Sequence, residues 1–208
     1  ERYHDLLTGE RNLVGGAGDA AGGAGAGAIT LEDGTSVYLD RPGTSAEELR
    51  QRFVEDDHAV LFTSLWGTLT EGVSFDGDDA TSVAVVGVPY PHLDDRAKAV
   101  QDAYELAFED RPVDDPGWRY AVEIPTVRKT RQALGRVLRS PEDVGVRALL
   151  DRRYTAASVR EMREYSVHGT FPEEEREELV DIDPSKLKYA MLNFYGDHDA
   201  WDGDPPEP

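Results

Sequence analysis

The sequence predicts an α/β fold, a parallel sheet flanked by helices, and three observations predict it. His58–Leu65 (HAVLFTSL) and Ser82–Val88 (SVAVVGV) are short, continuous apolar runs rich in branched residues. That is the pattern of strands covered on both faces. Between the second run and a third strand at Val146–Leu150 lies an amphipathic helix over Asp94–Phe108, with Ala97, Val100, Tyr104 and Phe108 on one face. Alternation of this kind places ligands beyond the carboxyl ends of the strands, which directs attention to the loops at 65–77 and 88–95.

The remaining elements follow in order. Residues 1–13 (ERYHDLLTGERNL) predict a short helix, and Gly15–Ala28 a flexible loop, since it is Gly and Ala apart from Asp19. A phosphate-binding loop does not fit there, because no Lys-Ser/Thr follows and the next segment is β-like. Ile29–Glu32 and Ser36–Leu39 flank Asp33-Gly34 as a hairpin. Ser45 caps a helix through Phe53, with Glu48 in the capping-box position. Pro125 can start the next helix, over Thr126 to about Arg139. Beyond the third strand, helices are expected near Ser158–Glu164, Pro172–Val180 and Pro184–Asn193. Three parts result: an upstream remnant with loop and hairpin over 1–44, a core domain over 45–165, and a helical extension with an acidic tail over 166–208.

Composition narrows the chemistry. With no cysteine in 208 residues, disulfides, thiolate metal sites and thiol nucleophiles are excluded. His4, His58, His92, His168 and His198 are scattered without metal-ligand spacing, so no metal site is expected in this chain. No apolar run approaches the ~20 residues that cross a membrane, and no basic stretch precedes an apolar one as in a secretory signal. The expectation is a cytoplasmic protein with no membrane partner. The first residue is Glu1 rather than Met, which predicts a piece of a longer chain.

The formal charge is −20, from 22 basic and 42 acidic residues, and 18 of the basic residues are Arg. Acidity of this degree argues against phosphate contacts at ordinary salt. It is also what proteins of very salty surroundings carry. At molar salt the Debye length is about 3 Å, so a global negative charge repels phosphates little. The charge is therefore read as a solvent adaptation, pointing to a halophilic source. The tail from Thr170 holds 12 acids against three bases.

Against that background one segment stands out. Between Glu123 and Glu142 there is no acid, while Arg128, Lys129, Arg131, Arg136 and Arg139 fall within the interval. On a helix, Gln132, Arg136 and Arg139 share one stripe at i, i+4 and i+7. Two guanidinium groups and an amide there form an anion-binding edge suited to phosphate. Gly135 would let that helix approach a neighbour closely. Taken alone, salt bridges to distant carboxylates explain such arginines better.

The segment does not stand alone. Glu71-Gly72-Val73-Ser74-Phe75, then Gly87-Val88-Pro89-Tyr90-Pro91, then Gln132, Gly135, Arg136, Arg139, Asp143, Gly145, Asp151, Arg153 and Tyr154 occur in order. Together they resemble motifs V and VI of the second RecA-like motor domain of the XPD/DinG group of superfamily 2 DNA helicases, over about residues 45–165. The resemblance implies a RecA-like parallel sheet and an ATP-dependent DNA helicase of the repair type, moving 5′ to 3′ on single-stranded DNA. It implies that Arg136 and Arg139 reach ATP phosphates as arginine fingers and that Gln132 positions the nucleotide or attacking water. Glu71, Gly72 and Gly135 would border the nucleotide. Ser74 stands where the family usually has Asp. Trp66 and Tyr90 are candidates to stack on bases, against the alternative that they cap the core, and Arg128 and Lys129 are candidates for nucleic-acid contact.

The chain contains neither GxxxxGK(S/T) nor a DEAH-like run. ATP and Mg2+ would then be held largely by an N-terminal motor domain, the expected partner. The four cysteines of an iron–sulfur cluster in XPD-like members also belong to that half. This chain by itself is expected to hydrolyse no ATP. The rival reading is a non-catalytic, helicase-derived module that binds nucleic acid or protein. A plain DEAD-like RNA helicase is a third, and the GVPYP loop argues against it.

Overall fold

The computed structural model describes residues 28–75, 77–137, 143–201 and 203. The helix expected over 1–13, the Gly/Ala loop, Arg139 and the last residues of the acidic tail lie outside the described residues. The chain divides into two compact units, one ending at Phe75 and the other beginning at Asp76.

In the first unit, β1 (Ile29–Thr30) and β2 (Ser36–Leu39) pair antiparallel about the Asp33-Gly34 turn. Asp33 Oδ1 accepts the Thr35 N–H at 3.0 Å, and Gly34 takes φ +88, a conformation that suits glycine. Helix α1 (Ala46–Val54) starts where the sequence predicts, with the Glu48 N–H donating to Ser45 Oγ at 3.4 Å. Strand β3 (Ala59–Phe62) lies parallel to β2, Ser36 opposite Ala59 and Leu39 opposite Phe62. The hairpin is thus continuous with the α/β sheet, and strand pairing crosses from one side of residue 44 to the other. A short helix α2 (Thr68–Gly72) follows β3. Val37, Tyr38, Leu49, Leu69, Val73 and Phe75 are buried. Phe53 of α1 bridges two of them edge-on, with ring centroids 6.4 Å from Tyr38 and 5.5 Å from Phe75.

In the second unit, β4 (Ser82–Val86) and β5 (Val146–Leu150) are parallel neighbours, Ser82 opposite Val146 and Val86 opposite Leu150. The crossover between them begins with α3 (Asp95–Ala107), capped by Asp94 Oδ1 accepting the Ala97 N–H at 2.9 Å. Ala97, Tyr104 and Phe108 are half-buried as its periodicity predicts, whereas Val100 is 43% exposed. Next comes a helical path made of α4 (Pro116–Trp118), a π-helical turn (Arg119–Glu123) and α5 (Ile124–Leu134). Pro125 stands in the first turn of α5, as its preference for that position predicts, but the helical path it enters begins earlier, at Pro116. Pro125 brings no N–H and crowds the turn before it, and the widened turn, in which the Ile124 N–H donates to the Arg119 carbonyl, accommodates both.

Gly117 marks the close approach of α4 to α3. A Cβ there would fall 2.7 Å from Glu105 Oε1 and 2.8 Å from the Gln101 carbonyl. Past β5 come α6 (Ser158–Glu161), α7 (Glu173–Glu178) and α8 (Leu187–Asp197). Val127, Tyr154, Val167 and Phe171 form a buried cluster against which Val88, Tyr90 and Leu149 pack.

The architecture is α/β with parallel strand pairs, as the sequence predicts. The strands are less sealed than continuous apolar runs imply, for Val60, Val86 and Leu150 stay 42–43% exposed. No helix among the described residues is long and apolar enough to cross a membrane.

Candidate functional site

The first unit carries the loop after β3 and the EGVSF segment. Ser64 organises that loop: its carbonyl accepts the Gly67 N–H and the Thr70 hydroxyl at 2.8 and 2.7 Å, and its Oγ accepts the Trp66 N–H at 3.3 Å. Thr63 Oγ1 donates to Asp40 Oδ2 at 2.7 Å, joining the residues just past β2 and β3. Trp66 projects from this loop and is 53% exposed. Glu71 and Gly72 close α2; Gly72 is exposed, and the Glu71 side chain lies outside the described set. Val73 and Phe75 are buried, so the apolar letters of this segment serve the core.

The second unit carries the basic island. Helix α5 ends at Leu134, with Gly135 as its C-cap, and Arg136 lies past it in a turn. Gln132 and Arg136 therefore do not lie on one helix, and Arg139 lies outside the described residues. The reason is local: Gly135 ends the helix where the periodic pattern would continue it, its N–H donating to the Arg131 carbonyl at 2.9 Å. Among the described residues, a Cβ at Gly135 would meet the Arg131 carbonyl at 3.3 Å and the Gln132 carbonyl at 3.9 Å, both of its own helix. Gln132 is exposed in the last turn of α5, and Arg136 is half-buried just beyond it.

The other cations of the island diverge. Arg128 is exposed, while Lys129 is buried at 6% exposure, turned to the interior of the unit. Arg131 is held by a distant acid: its Nε donates to both Glu175 oxygens at 2.8 and 2.9 Å, and Nη2 lies 2.5 Å from Oε1. For Arg131 the salt-bridge reading of the sequence is the observed one.

The loops beyond the carboxyl ends of β4 and β5 converge on Tyr154 and Arg153. The Tyr154 hydroxyl donates to the Gly87 carbonyl at 3.1 Å and lies 3.2 Å from Thr130 Oγ1 of α5. Burial pushes its phenol up to about 12. Arg153 is clasped by Asp151, Nε to Oδ1 at 2.8 Å and Nη2 to Oδ2 at 2.7 Å, and Asp151 Oδ1 also accepts the Arg153 N–H at 2.9 Å. The guanidinium beside it holds the Asp151 carboxyl below the usual range, despite burial. The same guanidinium sits 5.3 Å from the centroid of the Tyr90 ring. Tyr90 is half-buried, its hydroxyl donating to the Tyr165 carbonyl at 2.9 Å, with Trp118 at 5.9 Å and tilted. Of the two rings proposed to stack on bases, Trp66 stands well exposed and Tyr90 is built into a cluster.

Sequence reading left Trp118 and Tyr165 without a role, although both belong to this cluster. The signal for Trp118 was the Asp115-Pro116 cap that fixes it at a helix start; Tyr165 carried none, because its partners are distant in the chain. Among the described residues, no three His, Asp or Glu side chains gather to hold a metal ion.

Comparison with known proteins follows the same residues. The profile of the helicase C-terminal domain family matches residues 29–167, well over half of the chain. The chain is 31% identical over 108 residues to a regulator of telomere elongation helicase 1 homolog of Caenorhabditis briggsae, covering 50% of this chain and 11% of that protein. It is 31% identical over 107 residues to the general transcription and DNA repair factor IIH helicase subunit XPD of Schizosaccharomyces pombe, covering 49% and 13%. An ATP-dependent DNA helicase of the same yeast is 28% identical over 125 residues, covering 59% and 15%. The chain thus spans between a tenth and a sixth of the length of these relatives. With its EGVSF, GVPYP and QxxGR segments inside the matched span, the chain belongs to the helicase C-terminal domain family, of the kind found in XPD-like helicases.

Proposed function

We propose that this chain is the second motor domain of an ATP-dependent DNA helicase of the repair type, moving 5′ to 3′ along single-stranded DNA. Its ATP site is completed by an N-terminal motor domain that holds the nucleotide phosphates and Mg2+, and in XPD-like members an iron–sulfur cluster belongs to that other half. The observation that carries the reading is the end of α5, where Gly135 stops the helix between Gln132, exposed in its last turn, and Arg136. Arg136 thus leaves the chain in the turn just past the end of α5, half-buried, rather than along the helix. Arg136 and Arg139 supply positive charge to the transferred phosphoryl group, and Gln132 orients the nucleotide or water. Glu71 and Gly72 couple nucleotide state to the grip on DNA.

The test joins this domain to its first motor half. Arg136→Ala should lower ATP turnover by about 10³-fold or more, with single-stranded DNA binding kept. This chain by itself should show no turnover. Normal turnover in the joined variant would sink the arginine-finger assignment, and ATP hydrolysis by the lone chain would sink the shared site.

A further inference from the structure

The surface turn Arg163–Tyr165 is held by side chains far from it in sequence. The Tyr90 hydroxyl donates to the Tyr165 carbonyl at 2.9 Å, and the Trp118 indole N–H donates to the Glu164 carbonyl at 3.0 Å. Water would serve exposed carbonyls as well, so these donors act by fixing geometry rather than by satisfying acceptors. Arg163 adopts φ +47, a left-handed conformation that arginine rarely takes, and such strain persists where surrounding contacts impose it.

This framing presents one aromatic ring. Tyr165 is 52% exposed, with its centroid 6.2 Å from that of Trp118 and the two planes at 84°. Behind Trp118 stand Tyr90 and the Arg153 guanidinium. The segment leading to it carries a surplus of cations in an otherwise acidic chain. Val144–Tyr165 holds Arg147, Arg152, Arg153, Arg160 and Arg163 against Asp151, Glu161 and Glu164. Two of these acids are engaged, Asp151 by Arg153 and Glu161 by Arg152 at 2.7 Å. Arg160 and Arg163 are exposed. An open ring beside cations, on a backbone held rigid, is the combination that takes an unpaired base with its phosphate.

We propose that Tyr165 is a base-stacking platform for single-stranded nucleic acid, with Arg160 and Arg163 as its phosphate contacts and Tyr90 and Trp118 as positioning residues. The ligand class rests on the motor reading given above, whereas the arginine fingers play no part in it.

The experiment titrates labelled oligodeoxythymidine with the full 208-residue chain, by fluorescence anisotropy at several salt concentrations. Tyr165→Ala should weaken binding about tenfold, Tyr165→Leu should match it, and Tyr165→Trp should restore it. Arg163→Asn keeps a residue that tolerates the left-handed backbone while removing the charge, and should lower the salt slope by about one contact. Tyr90→Phe, which removes the donor but keeps the ring, should weaken binding a few-fold. Equal affinity of the native chain and Tyr165→Ala overturns the platform, as does full binding by Tyr165→Leu or no binding by the native chain at any salt. Failure of the motor reading shows elsewhere, as absent ATP turnover in the joined enzyme.

Discussion

The Tyr154 hydroxyl donates to the carbonyl of Gly87 across 3.1 Å, tying the segment after β5 to the residue that ends β4. Thr130 Oγ1 of α5 sits 3.2 Å away on the same hydroxyl, so one phenol joins three pieces of the second unit. Tyr154→Phe removes the group and leaves the Gly87 carbonyl short of a partner, while the Thr130 hydroxyl keeps the Thr126 carbonyl at 3.1 Å. The expected cost is about 1–2 kcal/mol in denaturant unfolding. A pH signature accompanies it. The folded phenol titrates at about 12, against an ordinary value near 10, so the folded state keeps a proton that the unfolded state releases. Its contribution is fully present below pH 10 and is lost as pH rises towards 12, by about 2–3 kcal/mol in all. The Phe variant should unfold with a shallower alkaline slope than the native chain. Identical slopes would show that Tyr154 is not the group responsible.

Gly117 should tolerate no side chain. Its missing Cβ is the space occupied by the Gln101 carbonyl, and its N–H donates to Glu105 Oε1 at 2.8 Å. Glu105 can swing away, but the carbonyl belongs to the backbone of α3. Gly117→Ala should cost about 1–3 kcal/mol, because α4 must move off α3. Gly169→Ala is the control: no described residue lies within 4 Å of a Cβ there, and the expected change is within about 0.5 kcal/mol. Equal effects at the two positions would remove close approach as the explanation.

Arg131 and Glu175 should couple weakly and only at low salt. Their side chains are 47% and 36% exposed, and such pairs contribute about 0.2–1 kcal/mol. A double-mutant cycle with Arg131→Ala and Glu175→Ala reads the coupling directly. At 1 M salt it should fall towards zero, since the screening length is then about 3 Å. Persistence of the full coupling at that salt would show a pair better shielded than its exposure indicates.

Local chemistry made much of the fold legible. Ser45 with Glu48, Asp33-Gly34 and the run Val146–Leu150 each specify an element through neighbours a few residues apart, and each stands where expected. The end of α5 is not legible, because a glycine suits close packing as well as a helix stop, and only the completed turn at Gly135 distinguishes them. The parallel pairing of β2 with β3 depends on residues more than 20 apart, which no periodicity reports. For the site, the order of the motifs was legible and the roles of single rings were not. Tyr90 reads as an exposed loop aromatic, yet the group that engages its hydroxyl lies 75 residues further on. Lys129 reads as part of a basic edge, yet its neighbours Val127 and Thr130 are buried with it.

The π-helical turn at Arg119–Glu123 holds one residue more than an α-helical turn would. It acts as a phase adjuster between two ends of a single helical path. Ahead of it, Trp118 is aimed at Tyr90 and Tyr165; behind it, Thr126 and Thr130 are aimed at the core. Excising one residue from that turn would straighten the path and rotate one end against the other by about 100°. The aromatic cluster and the Thr130–Tyr154 contact could not then both be kept. Length in this short stretch is therefore constrained more tightly than identity, and homologous chains should exchange side chains there far more readily than they gain or lose a residue.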